Sequence, residues 1–261
     1  MRAALALPHD TAGRRPNATR LDVELSGHPM RDEDHRLIEA TSFYAAVGKE
    51  AMAKLTRSAF VQVVPKGSIL FLQGDMPRFV HLVLSGRISL GAESTAGHST
   101  VVEIFRAGEF LVLAAAILRR PYLMTARALS ESRVLKIPAE PFRDALDGDP
   151  HVSRALVDIL ANHWRLLVRQ IKDLKLHSAN ERVATLLVAH ADGVDGPATV
   201  QLTEDLRTVA LRLGMTPESL SRAFTALRAH GVRSRGRTVT IEDVARLRAY
   251  CGYDDPDIDA K

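Results

Sequence analysis

A chain of 261 residues is long for one compact domain and favours two, each able to bury its own core. Its 46% hydrophobic and 25% charged residues, with no run near the ~20 apolar residues of a membrane span, describe a soluble protein and exclude a helical membrane protein. The single cysteine, Cys251, excludes an internal disulfide and an iron–sulfur cluster held by several thiolates of one chain.

Residues 1–30 carry Arg14 and Arg15 without a following apolar segment, so neither a secretory nor a twin-arginine signal is expected and the cytoplasm is the default. With Pro8, Gly13, Pro16, Gly27 and Pro29 this stretch reads as a disordered extension; a start at Met30 is the alternative. Residues 32–60 read as helical through Leu37, Ile38, Phe43, Met52 and Leu55. The texture then changes to short β-branched and aliphatic runs at 60–64, 68–72, 79–84, 88–90, 100–105 and 133–137. Gly67, Gly74, Gly86, Gly97 and Gly108 punctuate them, which predicts a barrel or jelly roll. The apolar segment Phe110–Leu118 suits a buried helix or a wall against an apolar cofactor.

Between Pro150 and Gly193 there is neither glycine nor proline, and Val157, Leu160, Trp164, Leu167, Ile171 and Leu174 recur in alternating steps of three and four. This predicts a long helix with a coiled-coil-like seam. A second stripe, Val152, Leu156, Ile159 and Leu166, packs on the barrel and leaves Leu160, Trp164, Leu167, Ile171 and Leu174 for a parallel homodimer; burial of the whole helix in a larger core is the alternative. Ser178 and Glu181 have capping-box spacing and start a new helix, which Asp192–Pro197 ends.

Thr203 is read as the cap of a helix with Leu206, Val209, Ala210 and Leu213 inside and Gly214 at its close. Thr216 caps the next, with Pro217 at its first position, Leu220, Phe224 and Leu227 inward, and Gly231 as the stop. Two helices joined by such a turn form a helix-turn-helix, whose second member presents its first residues to base edges. From Leu206 to Thr240 there are seven arginines, no lysine and one acid, Glu218, as expected where phosphates are neutralised. Thr216, Glu218, Ser219, Ser221, Arg222 and Arg228 are the expected DNA contacts of the second helix. Arg233, Arg235 and Arg237 lie on a predicted hairpin around Gly236, a wing over phosphate.

The motifs Lys66–Asp75, His81–Arg87, Gly108-Glu109 and Leu213–Arg222, in this order and separated by a long helix, resemble the family of regulators typified by the cyclic-AMP receptor protein and the fumarate–nitrate reduction regulator. The resemblance covers residues 34–250. It implies an α+β chain: a double-stranded β-helix of the cyclic-nucleotide-binding type at 31–148, a dimerisation helix at 149–178, a winged helix-turn-helix at 179–252 and a tail at 253–261. It also implies a homodimer on an inverted repeat of double-stranded DNA, with RNA polymerase and a small effector as partners. In this family the reading helix carries Glu and Arg four positions apart, matched by Glu218 and Arg222. Ser221 resembles the fumarate–nitrate branch, and Pro217 stands where the cyclic-AMP branch has a further arginine, so half-sites nearer TTGAT than TGTGA are implied.

In cyclic-nucleotide binders of this family a Gly-Glu pair holds the ribose and a later Arg-Ser pair the phosphate. Gly108-Glu109 matches the first; Tyr122-Leu123 falls at the second when aligned from strand 125–128, whereas counting forward from Glu109 reaches Arg119-Arg120. Gly108, Glu109, Tyr122, Leu123, Met124 and Thr125 are the expected effector residues. Residues 120–127 are similar to the nitrogen-oxide branch, which makes haem a candidate cofactor with His81, His151, His163 or Met124 as ligands; a cyclic-nucleotide-responsive regulator is the alternative. Two other classes compete. A metal-dependent oxygenase would need two or three His and a carboxylate, but His81 and His98 lie far apart in the barrel sequence, so neither catalysis nor a resident metal is expected. A regulatory subunit that does not bind DNA would not require the basic helix-turn-helix.

Overall fold

Glycine turns between short β-branched runs fold the first half of the chain into two four-stranded antiparallel sheets, seen in a computed structural model that describes residues 27–252 apart from Thr95, Ala96, His98 and Asp192. One sheet has the order β1 (Phe60–Val64), β8 (Ser132–Pro138), β3 (Phe79–Ser85), β6 (Phe110–Leu111). The other has the order β2 (Ile69–Phe71), β7 (Thr125–Ala128), β4 (Ile88–Glu93), β5 (Ser99–Phe105). The expected tails lie largely outside the described residues, but 27–30 correct the first of them. His28 exchanges two backbone hydrogen bonds with Val61, at 2.8 and 2.9 Å, and Gly27 crosses the Phe60 ring so closely that a Cβ there would collide with it. The free edge of β1 recruits these residues.

Strand alternation sorts the side chains. Val64, Phe71, Val83, Ile88, Leu90, Phe105, Leu111, Tyr122 and Val134 pack between the sheets. Val61, Val80, Leu82, Leu135 and Ile137 face the opposite way, onto helices. Those helices are α1 (Asp32–Glu39), α2 (Ser42–Thr56), α3 (Leu113–Leu118), α4 (Ala139–Gly148) and the first turns of α5 (Pro150–Leu176). Burial on both faces explains why β3 is a nearly continuous apolar run, interrupted by His81. Phe110–Leu118 is thus neither helix nor wall throughout: two residues join the sheet and α3 buries Leu113, Ala115 and Ala116.

Helix α5 buries Val152, Ala155 and Leu156 on the barrel and continues past it to Leu176. His177 leaves the helical region, and the expected capping box forms: the Ser178 amide donates to Glu181 Oε2 at 2.7 Å and the Glu181 amide to Ser178 Oγ at 3.3 Å. Then follow α6 (Ala179–His190), β9 (Ala198–Gln201), α7 (Leu206–Arg212), α8 (Pro217–Leu227), β10 (Val232–Arg235), β11 (Thr238–Ile241) and α9 (Val244–Cys251), around a separate apolar core. The hairpin β10–β11 turns at Gly236 with φ +60°, and β9 adds a third strand to it. Among the described residues no helix is long and apolar enough to cross a membrane.

One ion pair ties α1 to the barrel. Asp34 is 3% exposed; its carboxylate accepts from Arg133 on β8 at 2.6 Å and from the Arg31 amide at 2.8 Å. Removing one partner strands the other charge in low dielectric. Asp34→Ala is expected to lower the urea midpoint of the barrel, read by far-ultraviolet circular dichroism, by an amount worth about 3–5 kcal/mol at unchanged m value. A loss below ~1 kcal/mol would show that the pair is not needed to dock α1.

Candidate nucleic-acid interface and effector region

The turn between α7 and α8 is set by Gly214, which adopts φ +64°. Thr216 caps α8, its hydroxyl accepting from the Ser219 amide at 3.2 Å, with Pro217 at the first position. Leu220, Ala223, Phe224 and Leu227 face the core. The cap of α7 differs from the expected Thr203: Asp205 accepts from the Thr208 amide at 2.8 Å, and the Thr203 hydroxyl instead donates to Glu204 at 2.7 Å. The helix starts two residues later because Thr203 and Glu204 are held by the barrel.

The face of α8 opposite the core is open. Thr216, Glu218, Ser221, Arg222 and Arg228 are exposed, and Ser219 is half-buried. Arg222 Nη2 donates to Ser219 Oγ at 3.2 Å, so Ser219 braces the guanidinium. Glu218 sits in the first turn, where hydrogen bonds from its own amide and the Thr216 hydroxyl hold its carboxyl below the usual range. Arg228 follows the end of α8, roughly 15 Å of helix from Pro217, so it is placed apart from the other five. Arg233, Arg235 and Arg237 are all exposed on the hairpin; Arg233 also lies 3.5 Å from Glu242. Of the seven arginines counted in the sequence, Arg212 does not join this surface: it is turned toward the barrel among Glu204, Arg106 and Glu103. Arg207, exposed in the first turn of α7, was not among the expected contacts.

The barrel brings only some of the expected effector residues together. Gly108 takes φ +90° and donates its amide to Val83 O at 2.9 Å, placing Glu109 at the surface with its carboxylate accepting from the Arg106 amide at 2.7 Å. Tyr122 is turned inward, 4% exposed and stacked on Phe71 with ring centroids 3.7 Å apart, so it fills the interior. Leu123 is 79% exposed, Met124 packs on the inner core, and Thr125 Oγ1 accepts from the Gln73 amide at 3.0 Å. Arg119 and Arg120 are exposed at the end of α3, so neither register supplies an inward arginine. Two non-glycine residues with left-handed backbone, Val112 at φ +45° and Arg119 at φ +52°, bracket α3, each at a cost of order 1–3 kcal/mol. The segment beside Glu109 is therefore held under strain.

The proposed haem ligands do not converge. His81 is enclosed between the sheets, where burial and the neighbouring Lys136 cation push its pKa down to about 3. Lys136 itself, beside Gln62 at 3.1 Å and 4.7 Å over the Phe79 ring, is brought down to about 8 by burial and Arg78. His151 is exposed at the start of α5, and His163 lies edge-on to Phe105 with Nε2 3.9 Å from Glu103. Among the described residues no three His, Cys, Asp or Glu side chains cluster as a metal site; His98 lies outside them.

Glu103 marks a junction of β5, α5 and α7. Burial and the Glu109 carboxylate raise its pKa to about 7, against the pull of Arg212. Between its ordinary 4.5 and about 7 the folded chain keeps a proton the unfolded chain has released, so stability falls as pH rises through that window. Glu103→Gln is expected to flatten this fall and to leave the protein about 1–3 kcal/mol more stable than wild type at pH 8, a rise of a few degrees in Tm. Equal Tm for the two proteins from pH 5 to pH 8 would show that Glu103 titrates normally.

Comparison with known proteins agrees with both halves. Residues 61–149 match the model of the cyclic nucleotide-binding domain, and residues 181–250 that of the Crp-like helix-turn-helix domain. The chain is 22% identical over 216 residues to a CRP-like cAMP-activated global transcriptional regulator of Mycobacterium tuberculosis, covering 81% of this chain and 96% of that one. It is 29% identical over 200 residues to the transcriptional activator protein anr of Pseudomonas aeruginosa, covering 72% and 78%. A solved structure described as a putative cyclic nucleotide binding protein from Ruegeria pomeroyi is 31% identical, with TM-score 0.55, covering 85% of this chain and 99% of that one. These relatives are regulators and not enzymes, or are described by ligand binding alone. The chain belongs to the Crp/Fnr family of DNA-binding transcription regulators.

Proposed function

We propose that this regulator binds an inverted repeat with TTGAT-like half-sites as a homodimer, in response to a small effector taken up beside Gly108 and Glu109. The open row on α8 carries the reading: Glu218 accepts from cytosine amino groups and Arg222, braced by Ser219, grips guanine through two hydrogen bonds. Thr216 and Ser221 serve phosphate or base, Arg228 and the wing arginines Arg233, Arg235 and Arg237 serve phosphate, and Arg207 meets the backbone where the first helix of such a pair crosses it. The dimer seam is the outer row of α5. Val157, Trp164, Val168, Ile171 and Leu174 are 45–68% exposed, whereas Leu160 and Ile159 partly pack on the barrel core and Leu167 is half-buried. Twin helices bury this row against itself.

Gly108-Glu109 and the match to a cyclic nucleotide-binding domain favour a cyclic nucleotide as second reading, but Tyr122 occupies the interior and Arg119 and Arg120 lie exposed. Haem-borne nitric oxide sensing gains no support from the scattered ligands, so no Soret shift with nitric oxide is expected from a haem-treated sample. The cytoplasm is the setting and RNA polymerase the partner this reading implies.

In gel-shift titrations, Glu218→Gln and Arg222→Met are each expected to cost about 1–3 kcal/mol on a TTGAT repeat and to erase its preference over a TGTGA repeat. Unchanged preference in both variants refutes the assignment of these two residues. Ile171→Asp is expected to give monomers in sedimentation and to weaken operator binding by about 100-fold through lost bivalency; a variant that stays dimeric would place the seam elsewhere.

A further inference from the structure

Glu204 is 5% exposed, yet the unit that carries it does not bury it. Its carboxylate lies 3.2 Å from Arg106 Nη2 and 3.7 Å from Arg87 Nη1, both barrel residues; Arg106 is 98 residues away in sequence. Arg87 Nη1 also donates to the Thr203 carbonyl at 2.7 Å. Thr100 on β5 reaches the Leu211 carbonyl on α7 at 3.4 Å, and Leu174 near the end of α5 packs closely against Gly214 in the helix-turn-helix turn. The Thr203 hydroxyl donates to the second Glu204 oxygen at 2.7 Å, so both oxygens are engaged. A charge enclosed this way and gripped from two barrel loops differs from a solvated surface pair, whose contribution is small.

Arg106 has two attachments. Its guanidinium grips Glu204, while its backbone amide is capped by Glu109, in the effector region, at 2.7 Å. One residue therefore connects the carboxylate an effector would engage to the carboxylate that docks α7. Any ligand that draws Glu109 away from the Arg106 amide loosens the loop that presents the guanidinium.

We propose that Glu204 is an electrostatic latch: while Arg106 grips it, it pins α7, and with it the reading helix α8, against β5, and its release by Arg106 raises affinity for DNA. The latch rests on the DNA-reading function proposed above. Neither Glu204 nor Arg106 belongs to the reading surface, so their removal leaves the contacts to bases intact.

Full-length wild type, Glu204→Gln, Arg106→Met and the double variant are to be compared without added effector, by hydrogen exchange and by titration with a TTGAT inverted-repeat duplex. Each single variant is expected to exchange faster at 99–105 and 206–212, while 79–85 and 132–138 keep their protection and show the barrel folded. Each is expected to bind the duplex about tenfold more tightly than wild type, with no further gain in the double variant because both act on one contact. Raised exchange with equal or weaker affinity among proteins that do bind overturns the latch, as does unchanged exchange in both single variants. Raised exchange with no duplex bound by any of the four at low salt overturns instead the DNA-reading function on which the latch depends.

Discussion

The architecture depends on helix α5 serving two surfaces at once. Its first turns close the barrel core with Val152, Ala155 and Leu156, and its outer row leaves Val157, Trp164, Val168, Ile171 and Leu174 45–68% exposed in the single chain. A stripe of large apolar side chains this long is costly in water at about 25 cal/mol per Å². Crp/Fnr regulators act as dimers, and a second α5 laid on this row would cover it. The same helix runs into the helix-turn-helix unit through a two-residue break at His177 and Ser178, after which α6 begins.

Where the three parts meet, the chemistry is ionic. Glu103 and Glu109 from the barrel, His163 from α5, and Arg212 and Glu204 from the helix-turn-helix unit form one electrostatic neighbourhood, crossed by Arg106 and Arg87. Desolvated charges make contacts that are sensitive to partner loss, in contrast to the apolar cores on either side, which tolerate small shifts poorly and move as blocks. The left-handed Val112 and Arg119 around α3 place strained backbone next to Glu109.

Much of this was legible from residue order because it is local. Glycine turns, period-two strands, the Ser178–Glu181 box and the Thr216-Pro217 start each depend on neighbours within a few residues, and each forms as read. The two-residue β6 was hidden inside a run apolar on both sides, and β9 is a strand because β11 pairs with it about 40 residues later. Thr203 and Asp205 are both good caps by type; the choice fell to Asp205 because Thr203 is taken up by Glu204. Arg212 looked like part of a basic reading surface until its carboxylate neighbours, supplied by the barrel about 110 residues earlier and by Glu204, were in place. Tyr122 was expected to meet an effector, and the ring of Phe71, some 50 residues away, claims it. Long-range partners decide these cases, and composition does not announce them.

The central claim is that two copies of this chain, joined along α5, present two α8 helices to one duplex. Native mass spectrometry of the full chain with a duplex carrying a TTGAT inverted repeat, its half-sites one helical turn apart, tests it most directly. The account predicts a complex of two chains per duplex that is lost when the spacing is changed by half a turn. A complex of one chain per duplex, or of two chains indifferent to spacing, would contradict it.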